Sequence, residues 1–322
     1  MPIKRMAGIV MALLLSSSIP AGQALAFENP ISSPAVQTRL GASSALLGTA
    51  MAGSRIVAVG LRGLIIYSDD AGASWKQASV PSQSDLVAVS FPSAQKGWAV
   101  GHGGVVLHSA DAGATWVRQL DGVKAAELAV NHYQGSSAPD AAALVEREKS
   151  LKAAGGNQPF LDVYFENDST GFVVGTFNRI FRTEDGGKSW TPWMERTDNP
   201  GELHFYSIRG RNGSLYLTGE QGAVWRLDTA TQRIVAVPTP YKGTLFGLVV
   251  TDSDAVLAFG MRGSLYRSID QGRNWEKASL GTPAGITGGV ALAGGGVLLT
   301  TQAGTVTLSR DGGKTFQPLK TA

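Results

Sequence analysis

The chain has 322 residues, 43% of them hydrophobic and only 16% charged, with 41 glycines and no cysteine. That composition favours many short strands and tight turns over a helical bundle, and it excludes disulfides, thiolate chemistry and a lipid anchor on cysteine. The formal charge is +3, but 26 basic residues face 25 acidic ones once Lys4 and Arg5 leave with a leader, so nucleic acid is not an expected partner.

In chain order, the first segment has the features of an export signal. Lys4 and Arg5 supply the positive start, Met6 to Leu15 an apolar stretch, and Ala24-Leu25-Ala26 a small-x-small cleavage site. Residues 1–26 are therefore expected to be a signal peptide. The apolar stretch is too short to span a bilayer comfortably and runs into Ser16, Ser17, Ser18 and Pro20. The mature protein, 27–322, is expected in the periplasm or another exported compartment and not across a membrane. Asn29 to Ser43 belongs to no repeat; it is expected to add an edge strand or to cover the closure between the first and last repeats.

From Ser44 to Leu319 one unit recurs: an apolar pair, Gly, a two-residue turn, Gly, an alternating run, then Ser-x-Asp-x-Gly-x-Ser/Thr-Trp, here called the Asp box. The boxes carry Asp70, Gly72 and Trp75; Asp111, Gly113 and Trp116; Asp185, Gly187 and Trp190; Asp270, Gly272 and Trp275; Asp311, Gly313 and Phe316. In a sixth unit Gly219-Glu220-Gln221-Gly222 is intact, but Leu227-Asp228-Thr229-Ala230 has lost the box. Gly60 to Gly101 is 41 residues, Gly175 to Gly219 is 44 and Gly219 to Gly260 is 41. Four alternating runs in such a period predict an all-β fold, a β-propeller of six four-stranded blades closed into a ring without exposed sheet edges.

The box residues have architectural tasks. The Asp accepts hydrogen bonds from its own turn, the Gly supplies a positive φ, the hydroxyl joins the network and the Trp fills the wedge between blades. A carboxylate repeated at one place in every unit is expected to brace turns, not to form a catalytic or calcium series. No His pair has metal-ligand spacing and no phosphate loop appears, so neither metal nor cofactor is expected.

Between Asp121 and Gln158 about 33 residues are extra, giving a helical insertion at about 122–158. Pro139, the run Asp140 to Lys152 and Gly155-Gly156 predict one helix with start and stop signals. Leu144 and Leu151, flanked by Ala141 and Val145, make a narrow apolar stripe. It is expected to pack on the propeller or to cover a partner site on the face where inter-blade loops emerge.

The turns between second and third strands open on that same face and ring the channel: Leu61-Arg62, His102-Gly103, Thr176-Phe177-Asn178, Glu220-Gln221, Met261-Arg262 and Gln302-Ala303. Arg62 and Arg262 share one slot and Arg179 lies just beyond it in the third unit. With His102, Asn178 and Glu220 they form the candidate binding set, since converging guanidinium groups can take a carboxylate such as a peptide C-terminus bidentately.

Val59-Gly60-Leu61-Arg62-Gly63, Gly97-Trp98-Ala99-Val100-Gly101-His102-Gly103-Gly104 and the boxes beginning at Ser68, Ser109, Thr183, Ser268 and Ser309 resemble the photosystem II assembly and stability factors of photosynthetic organisms and their bacterial relatives. The resemblance covers nearly the whole mature chain. It implies a lumenal or periplasmic propeller that assists assembly of a membrane complex through an Arg-bearing surface. It also implies seven blades where six units are counted here, and the helical insertion departs from the photosynthetic members.

Three functions follow as expectations. The first is a non-enzymatic exported scaffold that binds a membrane protein or a membrane-complex subunit. The second is a sialidase-like glycosidase, because sialidases share Asp boxes; yet Phe181-Arg182-Thr183 does not supply the Phe-Arg-Ile-Pro motif, and no spacing singles out a Tyr–Glu nucleophile pair. The third is a glycan- or small-molecule-binding module.

Overall fold

The computed structural model describes residues 29–320; the expected signal peptide and the mature N-terminus at Phe27 lie outside the described residues. Six four-stranded antiparallel sheets follow one another along the chain, each a meander of consecutive strands, so the fold is a six-bladed β-propeller. Blade 1 spans Leu46 to Gln77, blade 2 Leu86 to Leu120, blade 3 Phe160 to Pro192, blade 4 Phe205 to Val237, blade 5 Leu245 to Lys277 and blade 6 Ile286 to Leu319. All six inner strands line one central cavity of about 190 Å³, which contains residues from Leu47 of blade 1 to Gly289 of blade 6.

The second strand of a blade is sandwiched on both faces, which is why Gly97–Gly101, Gly171–Gly175 and Val256–Gly260 are short, wholly apolar and buried throughout. Between blades, aromatic side chains interlock: Trp98 of blade 2 lies flat on Phe165 of blade 3, with centroids 3.6 Å apart and planes 8° from parallel. The outer strand is only two residues long in blades 1, 3 and 5. Blade 4, whose box has decayed, instead ends in a longer hairpin that pairs Val224–Asp228 with Arg233–Val237.

The insertion is a helical hairpin, where one helix was expected. Helix α1 covers Gly122–Gln134 and helix α2 Ala141–Ala153. Asp121 caps α1 by accepting the Lys124 N–H at 3.0 Å, and Ala125, Ala126, Ala129 and Tyr133 form its buried stripe. That cap and spacing were present in the sequence and are the signal that would have revealed α1. The hairpin leaves and re-enters the propeller at Gly122 and Gly156, where a Cβ on Gly122 would lie 1.7 Å from the Gly156 carbonyl oxygen. Tyr133 ties it down, donating to Glu195 Oε2 at 2.6 Å and accepting the Met194 N–H at 3.1 Å.

Asn29 to Ser43 adds no strand. It runs as a strap across blades 1 and 2, with the Ala35 N–H bonded to Val80 O and the Gln83 N–H to Pro30 O. Closure differs from expectation as well. Five seams between blades are joined at their outer corners: Arg55 to Ala112 O, Gln119 to Gly186 O, Arg182 to Gln232, Arg226 to Gln271 and Arg267 to Gly312 O. Among the described residues no hydrogen bond, ion pair or shared apolar cluster joins blade 6 to blade 1. The place of Arg267 is taken there by Leu308, which has nothing to donate.

Candidate functional site

The turn between second and third strands has one construction throughout. The Gly before it donates its N–H to the carbonyl four residues on, as in Gly60 to Leu64, Gly101 to Val105, Gly175 to Arg179, Gly219 to Ala223 and Gly260 to Ser264. Its second residue sits in the left-handed region even where it is not glycine: Arg62 at φ 55°, Phe177 at 53°, Gln221 at 56° and Arg262 at 54°. A side chain held in that conformation is paid for by the surrounding bonds and marks a place worth testing for function.

Arg62 and Arg262 occupy equivalent positions and are exposed. Among the described residues neither guanidinium meets a carboxylate; only the Arg62 backbone N–H is held, by Asp85 Oδ1 at 2.7 Å. Leu61 and Met261, the residues preceding them, are exposed, as are Phe177 of blade 3 and Phe246 of blade 5. An aromatic run crosses the same region: Phe177 meets His204 at 4.5 Å, His204 meets Tyr206 at 6.1 Å, and Tyr206 meets Phe246 at 5.7 Å between centroids. Phe177 lies in one of the turns expected to ring the channel, whereas Tyr206 and Phe246 were not singled out from sequence. The alternation of Tyr206 and Phe246 on inner strands reads as core, and the central cavity that both line leaves them open.

The other candidates are placed differently. His102 is exposed, its Nδ1 3.9 Å from Asp85 Oδ2. Glu220 accepts the His204 N–H at 3.0 Å, and that bond, with the His204 side chain also 3.0 Å away, holds its carboxyl below the usual range. Asn178 and Arg179 are not on the surface. Asn178 takes the slot of Gly63, and its side chain braces the loop below by donating to Met194 O and accepting from Thr197 and Asn199. Arg179 therefore takes the buried apolar slot of Leu64, 1% exposed, under α2.

There Arg179 Nη1 donates to Glu148 Oε2 at 2.6 Å, and the Glu148 side chain is itself 0% exposed. The guanidinium stands over Phe181 at 5.3 Å and Phe160 at 5.8 Å. Burial pulls the Arg179 pKa down, and the Glu148 charge opposes it. Arg147 spans the pair's edge, 3.3 Å from Glu148 Oε1 and bonded to Glu202 at 2.5 Å. The carboxylate that an arginine of this turn can hold is thus supplied in blade 3 by the insertion itself.

The box carboxylates stay within their own corners. In the first, the Ser74 Oγ and N–H and the Ser68 Oγ all donate to Asp70, and the Trp75 indole donates to Gly72 O. Those bonds lower the Asp70 pKa to about 2, and the Asn274 N–H and side chain do the same for Asp270. Among the described residues no group of three His, Asp or Glu side chains converges to hold a metal, and no helix is long and apolar enough to cross a membrane.

The family of the photosynthesis system II assembly factor YCF48 matches residues 37–124 and 148–291, leaving out most of the helical hairpin. No curated protein matches the sequence. Among solved structures, YCF48 bound to D1 peptide is similar at a TM-score of 0.62 and 18% identity, over 89% of this chain and 88% of that one. YCF48 from Cyanidioschyzon merolae is similar at 0.61 and 17%, over 86% and 85%. A Niastella koreensis GH74 enzyme shares the fold at 0.57 and 16%, over 84% of this chain but 46% of its own. With most of its length matched by that family, the chain belongs to the YCF48 photosystem II assembly factors.

Proposed function

We propose that this chain is an exported, non-enzymatic scaffold that holds a membrane protein, or a subunit of a membrane complex, during assembly. The observation that carries the reading is the pair Arg62 and Arg262. They are two exposed guanidinium groups with no acidic partner among the described residues, fixed on equivalent left-handed turns, each preceded by an exposed apolar residue, Leu61 and Met261. An extended peptide with a carboxylate and apolar side chains matches that mixture of charge and apolar surface. The relative solved with D1 peptide supports a protein client, and the box aspartates Asp70, Asp111 and Asp185 are each engaged by their own turn and are not paired for glycoside chemistry.

Export rests on Lys4, Arg5, the Met6–Leu15 stretch and Ala24-Leu25-Ala26. Purification from the periplasm with Phe27 as the first residue is the expected outcome. For the client, immobilised wild type and an R62A/R262A variant are each given a detergent-solubilised envelope extract. Wild type is expected to retain membrane proteins that the variant loses; identical partner lists would remove this site.

A further inference from the structure

The face on which the turns between second and third strands open, here the upper face, is divided in charge. Over blades 5, 6 and 1 it is built from residues 29–46, 60–65, 238–246, 260–265, 279–286 and 301–306, and none of these is Asp or Glu. They carry Arg39, Arg62, Lys242 and Arg262, all exposed and none paired with a carboxylate among the described residues. Over blades 2 to 4 the same face holds Asp85, Asp121, Glu202 and Glu220. The near-even charge balance of the whole chain therefore conceals one half-face that is purely cationic.

Contacts place these residues together on that face. The strap passes beside the turn of blade 1: a Cβ on Gly63 would lie 3.2 Å from the Ala35 Cβ, and one recess is lined by Val36 and Thr38 of the strap with Leu61 and Arg62 of the turn. Lys242 lies against the turn of blade 4, where a Cβ on Gly222 would stand 3.2 Å from the Lys242 backbone nitrogen. Met261 and Arg262 repeat in blade 5 the turn made by Leu61 and Arg62 in blade 1.

The same half-face exposes apolar side chains one at a time, spread from blade 5 across to the strap. Val36 is 71% exposed, Leu40 68%, and Leu61 and Met261 44% each. Three of the four adjoin a cation in the chain, as Arg39-Leu40, Leu61-Arg62 and Met261-Arg262. Between the two turns blade 6 presents only the uncharged Gln302-Ala303-Gly304. An apolar tip beside a cation, with no carboxylate near, matches a bilayer surface of anionic headgroups: the tip enters the acyl boundary while its neighbour stays level with the phosphates.

We propose that the upper face over blades 5, 6 and 1 docks on an anionic lipid surface. Val36, Leu40, Leu61 and Met261 dip below the phosphates, and Arg39, Arg62, Lys242 and Arg262 are held at them. Lipid docking goes beyond the scaffold reading and needs no client.

The chain from Phe27 is sedimented with vesicles of phosphatidylglycerol and phosphatidylethanolamine, and with vesicles of phosphatidylcholine alone. Binding is expected to be about tenfold or more tighter on the anionic vesicles, and to weaken as salt is raised. R39Q/K242Q is expected to lose about 25-fold in affinity, about fivefold for each charge. V36S/L40S is expected to lose about tenfold. Because the chain has no cysteine, a single label can be placed on it. An environment-sensitive fluorophore on L40C is expected to shift to the blue and to be quenched by a lipid-borne quencher. The same fluorophore on V117C, at a residue 60% exposed on the outer strand of blade 2, is expected to stay as in water. That pair of labels leaves the charges and the other apolar tips in place, so it reads docking even where the double variants fold poorly.

Equal response of the two labels, equal binding to both kinds of vesicle, or unchanged affinity in both double variants overturns the proposal. In detergent extract, where no bilayer is present, V36S/L40S is expected to retain the same membrane proteins as wild type; their loss would assign these side chains to a protein partner and overturn lipid docking as well. If the vesicles bind as expected while R62A/R262A keeps the partner list of wild type, the scaffold reading alone falls.

Discussion

Blades 1 and 5 and blade 3 carry the same turn between second and third strands, yet the first two leave an arginine bare and the third covers one with a helical hairpin. Arg62 and Arg262 sit at the left-handed position and project to solvent. Blade 3 has Phe177 there and Asn178 where the others have Gly63 and Gly263, which moves its arginine into the slot that points inward. A guanidinium forced inside needs a carboxylate, and α2 delivers Glu148. The cationic group is thus left exposed in two blades, where we propose it serves recognition, and anchors an insertion in the third.

The largest expected effect breaks the anchored arginine. Glu148→Ala leaves Arg179 charged, buried and unpaired, and Arg179 Nη2 already lacks a partner. A loss of about 3–5 kcal/mol in urea unfolding is expected, because removing one member of a buried pair strands the other. Replacing both, as R179L/E148L, is expected to recover stability to within about 2 kcal/mol of wild type, since leucines beside Phe160 and Phe181 need no charge partner. Client retention should then be unchanged. If the double replacement abolished retention while melting normally, Arg179 would have to act in recognition and the comparison would fail.

How much of this was legible in sequence divides along the same line. The six units, the four-strand blades and the box corners follow from local spacing, because a hairpin or a braced turn depends on residues a few places apart. The inward placement of Arg179 was also readable. Setting Gly175 against Gly60 puts Arg179 level with Leu64 and not with Arg62, but a run of turn residues without that register groups the three arginines together. Glu148 could not be paired with Arg179 beforehand, since the contact depends on how a hairpin inserted 31 residues earlier folds back. The looser seam between blades 6 and 1 was hidden for the same reason. Val290 and Leu298 follow the pattern of covered strands, and only the missing donor at Leu308 marks the seam.

Acid gives a smaller effect and tests whether the difference is confined to the upper face. Asp70 in blade 1 and Asp270 in blade 5 have pKa values lowered from 3.8 to about 2, and Asp185 in blade 3 is also lowered. A depressed carboxyl contributes stability that is complete above its unfolded value and lost as pH falls through the folded one. Melting temperature is therefore expected to drop between pH about 4 and pH about 2. A D70N/D270N variant should start lower at neutral pH and fall less steeply in acid. An unchanged acid slope in that variant would show that the corners do not carry this dependence.

The smallest stability effect belongs to the bare arginines, and that smallness is the sharpest form of the comparison. The exposed guanidinium groups of Arg62 and Arg262 meet no acid among the described residues, so R62A, R262A and the double variant are expected to stay within about 0.5 kcal/mol of wild type in urea unfolding. The left-handed turn offers alanine no advantage over arginine, because both carry a Cβ and the one bond to Asp85 Oδ1 is made by the Arg62 backbone N–H. Retention of membrane proteins should nonetheless fall with each substitution and vanish with both. If the double variant unfolded as readily as Glu148→Ala, the exposed pair would be structural, and no functional distinction between the covered blade and the bare ones would remain.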